Sequence, residues 1–231
     1  MNIEKIEKQI VDEYNSFKYT MGWRLLNTKV NNIKDNNGIF IITINPGTGK
    51  GTFSKNGHTL SNEDGNSLLH EKWVSPLQNQ LSEMLKLIWE RYCPKQDYSS
   101  FVESIMQGYF IPFRSRSIKD LEKNSDTMNI CIDIWREIIL CNLDTMRMVN
   151  CIGKKIPYKN ICNIIENING VVIIERKPYK TGWGNIMVEI TKYKISNRII
   201  SVVGYPHLSQ FKLFGRDESS NAMKKVILYS L

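Results

Sequence analysis

No apolar run in the chain reaches the ~18 residues that a membrane-spanning helix needs, so the sequence offers no membrane partner. Only three histidines are present, His58, His70 and His207, and none completes a zinc spacing with the cysteines. The five cysteines, Cys93, Cys131, Cys141, Cys151 and Cys162, include no CxxC pair. An odd number without a secretory signature reads as free, mostly buried thiols. We therefore expect no metal, no cluster and no other cofactor. The N-terminus, MNIEKIEKQIVDEYNSF, is a charged amphipathic helix without the apolar core and cleavage site of a signal peptide, so the sequence predicts a cytoplasmic protein. Repeats, low-complexity tracts and long linkers are also missing, which leaves a single domain over residues 1–231 and calls for no obligate protein partner.

What is present fits a soluble globular chain: 42% hydrophobic and 23% charged residues. The net charge is +8, from 31 Lys+Arg against 23 Asp+Glu. That excess favours a polyanion, because each phosphate neutralised releases condensed counterion. A basic surface that only aids solubility has the same sign, so charge by itself separates these weakly.

The periodicity alternates helices with short apolar strands. Residues 3–18 carry Ile3, Ile6, Ile10, Val11, Tyr14 and Phe17 at helical spacing. Residues 39–44 form a buried strand, and 47–72, rich in Gly, Asn, Ser and Thr, read as a long loop. A helix begins at Pro76, with Leu77, Leu81, Leu85 and Ile88 on one face. Ile105 to Phe113 is a second strand. Ser125 caps a helix running to Leu140, with Met128, Ile132, Trp135 and Ile139 turned inward. Met146 to Gly153 is a third strand with Met146 and Met148 in the core, and YKNICNIIENI is a helix. GVVIIE and GNIMVEITKYKI are further strands that could pair; Arg198 to Tyr205 is another, and Ser219 to Leu231 closes with a helix. This order predicts an α/β sandwich around a largely parallel sheet. Ligands of such sheets bind beyond the carboxyl ends of the strands.

Three strand ends carry polar or loop-forming groups: Asn45-Pro46-Gly47, Pro112-Phe113-Arg114 and Pro206-His207-Leu208-Ser209. Parallel neighbours would bring them together. Each also has a plainer reading. Asn-Pro-Gly is turn chemistry. His207 can be a satisfied histidine at a strand end, Phe211 and Phe214 can be core, and the flanking lysines and arginines can be solvated. GTGKGT lacks the GxxxxGK[ST] spacing of a phosphate-binding P-loop.

An apolar strand ending in INPG, with a late apolar strand ending in PHLS, resembles the first and last motifs of the uracil-DNA glycosylase superfamily, over roughly Gly38 to Phe214. The resemblance implies a three-layer α/β/α sandwich with a mainly parallel four-stranded central sheet. It also implies a monofunctional DNA glycosylase, which flips a base out of the duplex and hydrolyses its N-glycosidic bond to leave an abasic site. Asn45 then matches the residue that orients the attacking water, and His207 the donor to the departing base anion. Pro46, Gly47, Phe53, Tyr109 and Phe113 are expected around the base. Thr48, Lys50, Arg114, Arg116, Ser209, Phe211 and Lys212 are expected along the DNA, with Gly49 and Arg216 beside them. Ser209 would sit on a phosphate, and Phe211, or Leu213, would be the wedge that fills the gap.

Two departures bear on substrate. Uracil-specific members place an asparagine three residues before the proline of the middle strand; here that residue is Tyr109. A phenol does not reproduce an amide's paired donor and acceptor. Leu208 also stands where the last motif has proline. With Phe53, His58 and Trp73 available in or beside the long loop, the sequence favours a modified or damaged base over uracil, such as a hydroxymethylated or glycosylated pyrimidine of phage DNA removed in antiviral defence. Uracil-excising repair, a non-catalytic nucleic-acid-binding module of this fold, and an α/β hydrolase of free nucleosides are the alternatives.

Overall fold

The computed structural model describes residues 1–47, 57–71, 75–115, 119, 121 and 124–231. In chain order the strands are β1 (Trp23–Arg24), β2 (Ile39–Thr43), β3 (His58–Thr59), β4 (Met106–Tyr109), β5 (Met148–Ile152), β6 (Val171–Lys180), β7 (Met187–Ile195) and β8 (Arg198–Tyr205). The helices are α1 (Ile3–Ser16), α2 (Ser67–His70), α3 (Pro76–Tyr92), α4 (Tyr98–Glu103), α5 (Ser125–Asn142), α6 (Lys159–Glu166) and α7 (Asp217–Ser230). A π-helical turn, Lys154–Tyr158, joins β5 to α6. None of the described helices is long and apolar enough to cross a membrane.

The main sheet has six strands in the order β4-β2-β5-β8-β7-β6. β4, β2, β5 and β8 are mutually parallel, and β7 and β6 run antiparallel to their neighbours. The four-stranded sheet expected from the resemblance is therefore a six-stranded mixed one. The reason is local. Only Ser196 and Asn197 separate β7 from β8, with Ser196 in the left-handed region at φ 53°, and so short a link permits only antiparallel neighbours. β6 then pairs with β7 along its length. β1 and β3 form a small separate parallel pair.

Strict alternation in β2 feeds two apolar cores. Phe40 and Ile42 pack with α1, α5 and α6, while Ile39 and Ile41 pack with α3, α4 and α7. Helices thus cover both faces of the sheet. Local chemistry starts them well: Ser75 and Gln78 form a reciprocal capping box ahead of Pro76. α5 is capped by Asn124, one residue before the expected Ser125. On α1, Ile6 and Ile10 are fully buried, but Val11 is exposed, as is Phe17 just past the helix end. Met146 and Met148 are core, as are Cys131, Cys151 and Cys162; Cys93 is half-buried and Cys141 exposed.

Register sets the site. Thr43 lies opposite both Tyr109 and Ile152, and Ile152 lies opposite Tyr205, so four carboxyl ends finish level at one edge. The turn after β5 reaches that edge by packing on a bare strand: a Cβ at Gly204 would meet Cγ of Tyr158 at 2.5 Å. Tyr158 cannot easily give way, because it is buried and its hydroxyl is 2.7 Å from the Thr191 hydroxyl. Gly204→Ala should therefore cost about 1–3 kcal/mol, read as a lower midpoint in urea. An unchanged midpoint would contradict this packing.

Candidate active site

Asn45 follows β2 by two residues and is half-buried beside a buried Pro46 and an exposed Gly47. Its side-chain nitrogen donates to two backbone carbonyls, Pro46 at 3.2 Å and Phe113 at 3.4 Å. Both donor hydrogens are thereby committed and the amide orientation is fixed. The side-chain oxygen accepts no hydrogen bond from the described residues and stands ready to accept one from water. The strand-end asparagine does more than start a turn, since it ties the end of β2 to the chain beyond β4.

His207 follows β8 by two residues, on the far side of β5 from Asn45. Two strand spacings put the backbones of these ends about 10 Å apart. Burial lowers the pKa of His207, so the neutral imidazole is favoured at neutral pH. The Ser209 hydroxyl lies 2.6 Å from its Nδ1. With that hydroxyl donating, the ring proton resides on Nε2, where a neutral donor can serve a ligand. The backbone amides of Gln210 and Phe211 both donate to the His207 carbonyl, which folds the segment into a tight turn. Gln80 holds the far end of that turn through a two-way bond with the Phe214 backbone, at 2.7 and 2.8 Å.

The other expected residues divide. Ser209 is half-buried and engaged with His207, and Lys212 is exposed. Phe211 is half-buried and meets the Trp183 ring edge-on at 6.0 Å. Leu213 is fully buried and cannot be a wedge, because the turn rotates both it and Leu208 into the core beneath. Phe113 is also fully buried, with its ring stacked on Tyr19 at 4.6 Å, so it belongs to an aromatic core cluster and not to a base-binding surface. His58 is edge-on to Tyr14 at 4.8 Å. Arg114 is only 5% exposed, and its Nε donates to the Gly47 carbonyl at 3.0 Å. It holds the loop after Asn45 and does not extend to solvent as a phosphate contact would. Thr48, Gly49, Lys50, Phe53, Trp73 and Arg116 lie outside the described residues.

Around Tyr109 the sequence reading missed a polar cluster. Burial pushes the phenol pKa up, against the hydrogen bond with Asn27 and the nearby charges of Arg24 and Arg114. Burial likewise lowers the pKa of Arg114, although its guanidinium remains charged. Arg24 forms an ion pair with Glu71 at 2.5 Å, and both side chains are 8% exposed. Breaking so buried a pair from one side costs about 3–5 kcal/mol. A charged residue inside GWRLL was the available signal for Arg24; Glu71 gave none.

The arrangement combines an acceptor fixed by backbone contacts, a neutral donor two strands away, and a polar buried floor under the end of β4. It can orient water on one side of a bond and stabilise negative charge on the other. Compared with known proteins, the chain gave no match to any protein-family model or to any curated protein.

Proposed function

We propose that the chain is a divergent member of the uracil-DNA glycosylase superfamily and a monofunctional DNA glycosylase. In this reading a nucleotide leaves the base stack and enters between the ends of β2 and β8. The oxygen of Asn45 orients water toward C1′. Nε2–H of His207 meets the negative charge that develops on the departing base. No lysine nucleophile takes part, so the product is an abasic site in an intact strand. The observation that carries the proposal is the commitment of the Asn45 amide nitrogen to two carbonyls, which leaves an oriented acceptor at the same sheet edge as a histidine whose neutral form is favoured. An asparagine that merely formed a turn would have no need of the bond to Phe113.

The substrate we propose is a modified or damaged base, with bulky pyrimidines of phage DNA as the specific case and antiviral defence as the role. Tyr109 supports this, because its phenol sits with Asn27, Arg24 and Arg114 and not as the amide that pairs with uracil. Duplexes carrying uracil, and phage DNA carrying hydroxymethylated or glycosylated pyrimidines, should be incubated separately and probed for abasic sites. Abasic sites in the modified DNA alone are the expected result. Release of uracil alone would remove the defence role and leave a repair enzyme. Binding without base release from either would point to a non-catalytic module.

A further inference from the structure

The turn after β5 sits between the two candidate residues, because β5 is the strand between β2 and β8. Two glycines let it press on both neighbours. At Gly153, with φ 129°, a Cβ would lie 2.8 Å from Cγ1 of Ile44, the residue before Asn45. At Gly204, three residues before His207, the bare backbone receives the Tyr158 ring. The turn itself is a π-helix, a rare form that is frequent at functional sites.

Beside this turn opens a cavity of about 530 Å³, whose lining includes Lys154, Lys155, Lys159, Asn163, Arg176 and Glu189. Lys154 pairs with Glu189 at 3.4 Å, and Arg176 pairs with Glu166. Lys155 and Lys159 are exposed and join no ion pair among the described residues. Lys154, Lys155, Lys159 and Arg176 set against Glu189 and Glu166 leave two positive charges unneutralised, and Asn163 adds a neutral donor. We propose that this hollow binds a phosphate group, supplied by the DNA strand that presents its nucleotide to Asn45 and His207. The choice of DNA as the source rests on the glycosylase reading; the phosphate chemistry follows from the hollow alone.

The test uses the full chain carrying Asn45→Ala, so that binding is measured without turnover. Anisotropy of a labelled duplex should be recorded over a salt series, with and without Lys155→Glu plus Lys159→Glu. The exposed Lys224→Glu plus Lys225→Glu pair on α7 controls for net charge, and thermal melting by circular dichroism checks the fold of each variant. The hollow pair should weaken DNA binding at least about tenfold and reduce the salt slope by about 1–2, well beyond the control pair. Equal weakening by both pairs, or by neither, would overturn assignment of the hollow to DNA. Calorimetry with a deoxynucleoside monophosphate separates the sources. If the hollow pair abolishes that binding while DNA affinity is unchanged, the phosphate comes from a free nucleotide. If neither ligand responds, the hollow binds no phosphate. With Asn45 restored, base release that survives the hollow pair unchanged would defeat this inference and keep the glycosylase. Lost DNA affinity in a protein that releases no base from any DNA would do the reverse.

Discussion

His207→Ala should slow base release by about 10²–10³-fold, the ~3–4 kcal/mol typical of a donor aimed at developing charge in a dry site. Affinity for substrate DNA should hardly change, because the group acts chiefly on charge absent from the ground state. Single-turnover rates, with DNA affinity measured separately, make the comparison. His207→Gln keeps a donor and should recover part of the rate. The pH dependence has a defined sign. Burial lowers the imidazole pKa from its ordinary value of 6.5, so the neutral donor persists below that value and the acid limb of the wild-type profile should lie beneath it. That limb should vanish in His207→Ala. Because the unfolded chain takes up this proton more readily than the folded one, the same shift makes the fold less stable as pH falls through the ordinary imidazole range. A rate within a few-fold of wild type for His207→Ala would place the histidine outside the chemistry.

Asn45→Ala is the second large effect, with an expected loss of about 10²-fold or more in single-turnover rate from a water no longer held in line. It should also loosen the edge of the sheet, since the bonds to the Pro46 and Phe113 carbonyls disappear. A structural loss alone would lower the unfolding midpoint and the rate together and would be rescued on cooling. Loss of the oriented acceptor would lower the rate in a fully folded protein. Asn45→Asp separates these further, because a carboxylate keeps the acceptor and gives up the two donor contacts. It should be more active than Asn45→Ala despite lower stability. An order in which the aspartate variant is the slower of the two would contradict a water-orienting role.

The strands that build the edge were legible in the sequence because each is a short apolar run stopped by proline or glycine. Residues 39–44 and 198–205 read as strands, and β2 and β8 occupy Ile39–Thr43 and Arg198–Tyr205. Their parallel alignment brought Asn45 and His207 to one edge, as the alternation of helices and strands suggested. The antiparallel extension was less visible, since it depends on how the Ser196-Asn197 turn closes and not on the apolar pattern. Phe113, Leu213 and Arg114 differ from what the sequence suggests for a shared reason. A residue next to a motif looks the same in sequence whether its side chain faces the cleft or the core. Phe113 and Leu213 turned inward, and Arg114 is buried under Gly47. The Arg24–Glu71 pair was out of reach because its partners are 47 residues apart and Glu71 sits in a segment read as loop. In the sequence, Lys154 and Lys155 look like ordinary surface, two lysines after a strand. Only the packing of the turn on Ile44 and Gly204 gives them a place beside the site.

The most direct measurement is mass identification of free base released from a panel of uracil-containing, damaged and phage-modified DNAs, with the wild type and Asn45→Ala run in parallel. The account predicts a liberated modified base and an abasic site in an uncut strand with the wild type, and loss of that signal in the variant. Tight DNA binding with no base released from any substrate, or release unaffected by Asn45→Ala, would contradict it.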